Sequence, residues 1–312
     1  MTQAMKTHPK IVVVGSANTD LVLQLPRLPK VGESVIGPRF LQALGGKGAN
    51  QAVAAARLGA EVTFVCKLGV DDYGRGCYQA YQAEGMHLEH VFWDEDAPSG
   101  VAFIFVSENG ENLIGVAPGA NMRLTADEVE QAGAAIAAAD CLLIQLEVPQ
   151  AADLRAVQIA RRHGVPVILN PAPPDHIPVD LLKQVDYLTP NETELDFLCR
   201  SFASQAGSLE AAFPWLCRQV QNLVVTLGAS GCRVVTKDWD EPVPAFRVKA
   251  VDTTAAGDAF NGALAVALAR GLDLKAAVRF ASAVGALSVT RLGAMNSLPG
   301  AEEVQNFLSV HS

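Results

Sequence analysis

Short β-branched runs alternate with alanine-rich amphipathic stretches along most of the 312 residues, and that rhythm leaves few architectures open. Ile11–Val14, Glu61–Cys66, Cys141–Leu146, Val165–Leu169, Tyr187–Thr189, Leu223–Leu227 and Cys232–Val235 are predicted strands. Gly48–Leu58, a stretch after Gly74 and Ala151–His163 are predicted helices, ending at Gly59, Gly85 and Gly164, where a left-handed residue closes the last turn. Thr125 with Glu128 has capping-box spacing ahead of a further alanine-rich helix. Strands joined through helices run parallel, so the predicted class is α/β, a three-layer α/β/α fold with a mostly parallel central sheet. In such folds ligands gather at the carboxyl ends of the strands.

One part of the chain breaks the rhythm. Gly100–Val106 and Asn112–Val116 flank Asn109-Gly110, a hairpin signal, and Leu21–Leu25 and Val35–Leu41 are extended without helical period. They predict a small antiparallel sheet built from two insertions, about 18–42 and 98–119, within a single domain spanning 1–312. Such a sheet reads as a lid that excludes water, as a plain edge sheet, or as a surface buried against a second subunit.

Composition removes several classes. Half the residues are hydrophobic and 18% are charged, which suits a folded domain, while a net charge of −9 without a Lys/Arg run excludes a non-specific nucleic-acid surface. The first apolar run, Ile11–Val14, is too short for a signal peptide, and no stretch approaches a membrane span. Six scattered cysteines without a Cys-x-x-Cys pair read as reduced thiols of a cytoplasmic protein. His87 and His90 have ligand-like spacing but no neighbouring Cys or His to complete a metal site.

Two glycine turns carry the chemistry. Asp252-Thr253-Thr254-Ala255-Ala256-Gly257-Asp258 lies between an extended Arg247–Val251 and an apolar helix beginning near Ala259. The small side chains of Ala255, Ala256 and Gly257 leave backbone N–H groups open to an anion at a helix N-terminus, and Asp258 stands where a hydroxyl could lose its proton. The same residues also read as an N-cap with tight packing. The second turn, Leu44-Gly45-Gly46-Lys47-Gly48-Ala49-Asn50, is no P-loop, because Gly follows Lys47; nor does a dinucleotide fingerprint follow the first strand. That strand exits into Gly15-Ser16-Ala17-Asn18-Thr19-Asp20, where Asn18 and Asp20 can hold vicinal hydroxyls or simply cap a turn.

Together with Gln145-Leu146-Glu147, Asn170-Pro171-Ala172-Pro173, Thr189-Pro190-Asn191-Glu192-Thr193-Glu194 and Thr226-Leu227-Gly228 followed by Gly231, these segments resemble the ribokinase family of sugar kinases. The resemblance implies ATP-dependent phosphorylation of D-ribose at O5, with Asp258 as general base and Ala255, Ala256 and Gly257 as a backbone anion hole. It implies sugar contacts from Asn18, Thr19, Asp20, Gly46, Lys47, Gly48, Ala49, Asn50 and Glu147. It implies ATP contacts from Asn191, Thr226, Leu227, Gly228, Ala229, Ser230, Gly231, Gly257, Asp258 and Ser282. Mg²⁺ would lie in the environment of Asn191 and Glu194, whose spacing otherwise fits capping and a solvated helix face. K⁺ or another monovalent cation would lie among Asp252, Thr254, Ser288, Arg291, Gly293 and Ser297, the middle ones through backbone carbonyls. A homodimer through the lid is implied as well.

Three features depart from the family pattern. Ser282 stands where Asn is common, Thr254 replaces an apolar residue with no expected consequence for a carbonyl ligand, and the first ten residues match nothing and are expected to be disordered. Competing readings are a kinase for another pentose or nucleoside, such as 2-deoxyribose, and a catalytically silent sugar sensor. A dinucleotide-dependent oxidoreductase ranks last.

Overall fold

In the first strand Ile11 and Val13 are buried in one apolar cluster while Val12 and Val14 are buried in another. Successive side chains of a strand point to opposite faces, so this strand needs helices on both sides of its sheet. The computed structural model describes residues 6–311. Among them the strands are β1 (Lys10–Val14), β2 (Asn18–Leu25), β3 (Arg39–Gly45), β4 (Glu61–Gly69), β5 (Val91–Asp94), β6 (Gly100–Ser107), β7 (Asn112–Ala117), β8 (Cys141–Ile144), β9 (Val167–Leu169), β10 (Tyr187–Leu188), β11 (Asn222–Thr226), β12 (Cys232–Thr236) and β13 (Asp240–Val243). The helices are α1 (Lys47–Arg57), α2 (Asp72–Ala83), α3 (Ala126–Gln131), α4 (Gly133–Ala137), α5 (Gln150–His163), α6 (Val179–Leu182), α7 (Glu192–Ala206), α8 (Leu209–Gln219), α9 (Ala256–Ala269), α10 (Leu274–Ser288) and α11 (Ala301–Val310).

Nine strands form the central sheet in the order β13-β12-β11-β10-β9-β8-β1-β4-β5, parallel except for β12 and β13. The predicted three-layer α/β/α class therefore stands. Helix α9 packs against α1 and α10 and is apolar nearly all round, as a helix covered on several sides must be. Thr125 and Glu128 complete the predicted capping box, but the helix it starts is short and breaks before Gly133.

The second sheet runs β3-β2-β6-β7. Each insertion supplies an antiparallel pair, β2 with β3 and β6 with β7, but the two pairs meet through a parallel β2–β6 contact, so the sheet is mixed at its centre. Two boundaries also moved: β2 begins at Asn18, and β3 starts at Arg39 and runs on to Gly45, straight into α1. Residues 244–250 form no strand. The first ten residues are not uniformly loose: 1–5 lie outside the described residues, but Lys6 pairs with Asp140 and Lys10 begins β1.

The carboxyl ends of β1, β8, β9, β10 and β11 open toward Gly15, Glu147, Asn170, Thr189 and Thr226. The N-termini of α1 and α9 approach them from the same side, through Asn50–Asp258 and Gln51–Asn170 contacts.

Candidate active site

Helix α9 begins at a backbone conformation that the residue type does not favour. Ala255 sits at φ 59, ψ 13, the only non-glycine residue with positive φ among those described. Left-handed geometry costs an L-residue roughly 1–2 kcal/mol, and such strain persists where surrounding structure enforces it. The sharp entry leaves the N–H groups of Ala255, Gly257 and Asp258 without a protein acceptor among the described residues. The N–H of Ala256, expected to be open with them, instead donates to the Thr253 carbonyl at 3.2 Å. A Cβ added at Gly257 would meet nothing within 4 Å, so that glycine faces open space.

This open space is a polar cavity lined by Lys47, Asn170, Thr189, Asn191, Glu194, Thr226, Thr253 and Ala255 through Asp258, together with Asn261. Lys47 is the one cation among its lining residues. Burial works against the Lys47 charge, but Asp258, Glu147, Glu194 and Asp20 outweigh it and raise the ammonium pKa. Four carboxylates around one ammonium leave surplus negative charge, so an anionic ligand needs further cations to enter.

Asp258 lies in the first turn of α9 and is 7% exposed. It is no N-cap; Ala255 occupies that position. Its Oδ2 accepts from Asn50 Nδ2 at 2.9 Å and its Oδ1 from Gln51 Nε2 at 3.0 Å. Burial raises its pKa, while Lys47 and the two amides pull against that rise. Asn50 was expected to face the sugar. Its Nδ2 donates to Asp258, and its Oδ1 is buried without a partner among the described residues.

On the lid side, Asn18 and Asp20 share one face of β2. Asn18 Oδ1 accepts from Asn121 Nδ2 at 2.7 Å, and burial pushes Asp20 up to about 7, helped by Glu147 and Asp258. Thr19 points to the opposite face, 3.9 Å from Cys77 Sγ, so its side chain is not part of the site. Glu147 accepts from the Lys47 N–H at 3.1 Å and from the Ser16 hydroxyl, which ties the β8 end to the glycine turn. Gly46, at φ 90, lets this turn cross the β1 exit: a Cβ there would lie 2.7 Å from Asn18 N. Gly48 and Ala49 are buried in the first turn of α1.

Asn191 caps α7 in a reciprocal box. Its Oδ1 accepts from Glu194 N at 2.8 Å, while its own N–H and Nδ2 donate to the Glu194 carboxylate at 2.9 Å each. The capping reading is thus realised, but the solvated-face reading is not, since Glu194 is 7% exposed and burial raises its pKa despite Asn191 and Lys47. Thr226 lines the cavity, and the turn Leu227, Gly228, Ala229, Ser230, Gly231 continues outward from it, closed by Leu227 N to Gly231 O at 2.7 Å. Ser282 faces Cys232 beside that turn, 3.7 Å from its sulfur.

Asp252 stands apart from this cavity. It accepts from Thr254 N and Oγ1 at 2.9 and 2.7 Å and from Gly293 N at 2.8 Å; burial works upward, but these bonds hold its pKa below the ordinary value. Thr254 is therefore not indifferent, as its hydroxyl fixes Asp252. Ser288 and Ser297 turn their hydroxyls to the carbonyls of Gly285 and Ala294, and the Arg291 guanidinium pairs outward with Glu303. His87 and His90 line a separate open cleft with Lys10 and Glu61, at the amino ends of β1 and β4. No three metal-ligating His, Cys, Asp or Glu side chains cluster among the described residues.

The model of the pfkB family carbohydrate kinases matches residues 8–301. The chain belongs to that family. A ribokinase from Haemophilus influenzae is 42% identical over 96% of this chain and 98% of its own length. The solved ribokinase of Thermotoga maritima is 39% identical, covers 96% of this chain and 99% of its own, and superposes with a TM-score of 0.88. An Arabidopsis thaliana ribokinase solved with ribose and ATP is 33% identical, with a TM-score of 0.86 and coverage of 96% and 99%. The match from residue 8 overturns the expectation that the first ten residues correspond to nothing.

Sequence reasoning missed the residues that hold this kinase site from behind. Ser16, Gln51, Asn121 and Asn261 hydrogen-bond to Glu147, Asp258, Asn18 and the Gly257 carbonyl, and Gln145 stands behind them on Gln51. Ser16, in the turn after the first strand, and Gln145, beside Glu147, stood in segments already singled out, though without a role of their own. For the others the signal is burial, which periodicity alone does not assign to a polar residue.

Proposed function

We propose that the protein transfers the γ-phosphoryl group of ATP to O5 of D-ribose, giving D-ribose 5-phosphate and ADP. The observation that carries this is the position of Asp258, whose carboxylate joins the glycine turn of α1 to the open N–H groups at the α9 entrance. The Arabidopsis relative with ribose and ATP supports the choice of both substrates. Asn18, Asp20 and Glu147 would hold the sugar from the lid and β8 sides, with the backbone of Gly46 and Lys47 beneath it. Asn18, fixed by Asn121, favours a fully hydroxylated pentose.

In the reaction the O5–H bond breaks as O5 bonds to the γ-phosphorus, and the electron pair of the breaking P–O bond leaves with ADP. Asp258 takes the proton. Its raised pKa makes it a better-matched base than an exposed carboxylate. The N–H groups of Ala255, Gly257 and Asp258 receive the charge that spreads over the phosphoryl oxygens, and they need no reorganisation to do so. Lys47 adds positive charge at the same cavity.

The surplus of carboxylates suits a divalent cation. Asn191 and Glu194 would hold Mg²⁺ through its waters, and bound Mg²⁺ would supply charge neutralisation on the phosphates. A monovalent cation, K⁺ in our reading, would be held among Asp252, Thr254, Ser288, Arg291, Gly293 and Ser297, the middle ones through backbone carbonyl oxygens; one carboxylate kept ionised beside hard oxygen donors fits such an ion. Thr226 to Gly231 and Ser282 would receive the nucleotide.

The mixed sheet would close over the sugar. Its other face exposes Phe40, Phe103 and Leu113, an apolar surface that supports a homodimer through the lid. No helix among the described residues is long and apolar enough to cross a membrane, and we assign the enzyme to the cytoplasm on its free, largely buried cysteines.

The test is ATP-dependent phosphorylation of D-ribose beside 2-deoxyribose, fructose and adenosine, in K⁺ and in Na⁺ buffer. Fastest turnover of ribose, enhanced by K⁺, is the expected result. Preference for another acceptor would reassign the substrate, and sugar binding without turnover would favour the sensor.

A further inference from the structure

We infer that Gln51 is a positioning residue for Asp258, locked in one orientation by Gln145 behind it. The inference rests on reading Asp258 as the general base. Gln51 is fully buried on α1, and its amide is used completely: Nε2 donates to Asp258 Oδ1 and to Asn170 Oδ1, each at 3.0 Å, and Oε1 accepts from Gln145 Nε2 at 2.7 Å.

The direction of this relay is forced. The Asn170 amide donates to the Thr189 backbone carbonyl at 3.1 Å, and a carbonyl can only accept, so Asn170 must present its oxygen to Gln51. An ionised Asp258 likewise only accepts. Gln51 must therefore turn its NH₂ toward both, which leaves its oxygen for Gln145 and fixes the Gln145 amide in turn.

The fold tolerates a cost to keep Gln145 there. Gln145 Oε1 is buried without a partner, and a Cβ on Gly15 would lie 2.1 Å from it. An unpaired buried acceptor is unfavourable, so placing Gln145 for its N–H rather than its oxygen is what this geometry achieves. The consequence is local. With Asn50 on Oδ2, Gln51 pins both oxygens of the base and favours its ionised form, opposing the burial that would protonate it.

The test compares native protein, Gln51→Leu, Gln145→Leu and Asp258→Asn in D-ribose phosphorylation with MgATP, from about pH 5 to about pH 9. Folding of each is checked by its thermal transition. Gln51→Leu is expected to lower kcat roughly tenfold to a hundredfold, with KM for both substrates within about threefold of native. The acid limb of its kcat profile moves to higher pH, because a donor to the carboxylate is gone. Gln145→Leu, which also removes the orphaned oxygen and so serves if Gln51→Leu does not fold, moves kcat and the limb in the same directions by less. Loss of rate with an unmoved limb would mark a merely structural role and overturn the proposal. Native turnover in Asp258→Asn would overturn the base assignment and this proposal together, whereas its inactivity beside unchanged Gln51→Leu and Gln145→Leu would overturn the proposal alone.

Discussion

Asp252 and Asp258 lie at opposite ends of one short loop, yet their surroundings push them in opposite directions. Asp252 is half-buried and accepts three hydrogen bonds from N–H and O–H groups, which hold it ionised. Asp258 accepts two amide N–H bonds but is deeply buried, and that burial, with Glu147 adding to it, raises its proton affinity against the pull of Lys47 and the two amides. The same residue type thus serves as fixed charge at one end and proton acceptor at the other. What separates them is the depth of burial, since the number of hydrogen bonds to each is similar.

The comparison breaks most directly by removing each carboxylate. Asp258→Ala is expected to cost at least about 10²–10⁴-fold in kcat, the range of general-base catalysis, in any buffer. Asp252→Ala should cost less, and its deficit should be confined to the rate enhancement by K⁺. An equal loss from both in K⁺-free buffer would erase the distinction.

Gly257 sharpens the picture of the space between the two carboxylates. Because a Cβ there meets no protein atom, Gly257→Ala should fold like the native protein yet lower kcat by about 10²–10³-fold, as loss of an oxyanion contact does. Native kinetics in that variant would move the phosphoryl group elsewhere.

A third carboxylate gives a stability effect of a few kcal/mol. Asp20 has a folded-state pKa of about 7 against an ordinary 3.8, so the folded chain holds its proton more tightly than the unfolded chain does. Its contribution to stability is greatest below about pH 4 and is lost as pH rises through about 7. Asp20→Asn should therefore stabilise the ligand-free protein at pH 8 and hardly change it at pH 4, while weakening sugar binding. Chemical denaturation at the two pH values reads this difference, and an equal change at both would contradict it.

The smallest effect is at the strained entry itself. Ala255→Gly relieves left-handed strain but frees the unfolded chain, so the two should offset to within about 1 kcal/mol. A much larger shift of the denaturation midpoint would mean that the methyl group packs in the site.

The candidate groups could be named from the sequence because they follow strand ends or open a helix, Asp258 and Gly257 in a turn of small residues and Glu147 just past β8. Asp258, Gly257, Asp20 and Glu147 all meet at the site for that reason. The groups that steer them could not be named. Gln51 reaches Asp258 across 207 positions of chain and Gln145 reaches Gln51 across 94, and no local pattern reports such contacts. Strand alternation turns the Thr19 side chain away from those of Asn18 and Asp20, which its place between them in the sequence does not reveal. Ala255 shows the same limit for backbone: an alanine carries no signal that its φ will be positive. In the second sheet Asn109-Gly110 marked its own hairpin, whereas the parallel β2–β6 pairing depends on how two distant insertions meet.

The most direct measurement is kcat for D-ribose phosphorylation against pH at saturating MgATP and K⁺, in native protein and in Asp258→Asn. A buried base with raised proton affinity predicts that the native rate climbs with pH along an acid limb above the ordinary aspartate range, and that Asp258→Asn binds ribose but loses both rate and limb. A variant that turns over at the native rate, or keeps the same limb, would contradict Asp258 as the group that takes the proton.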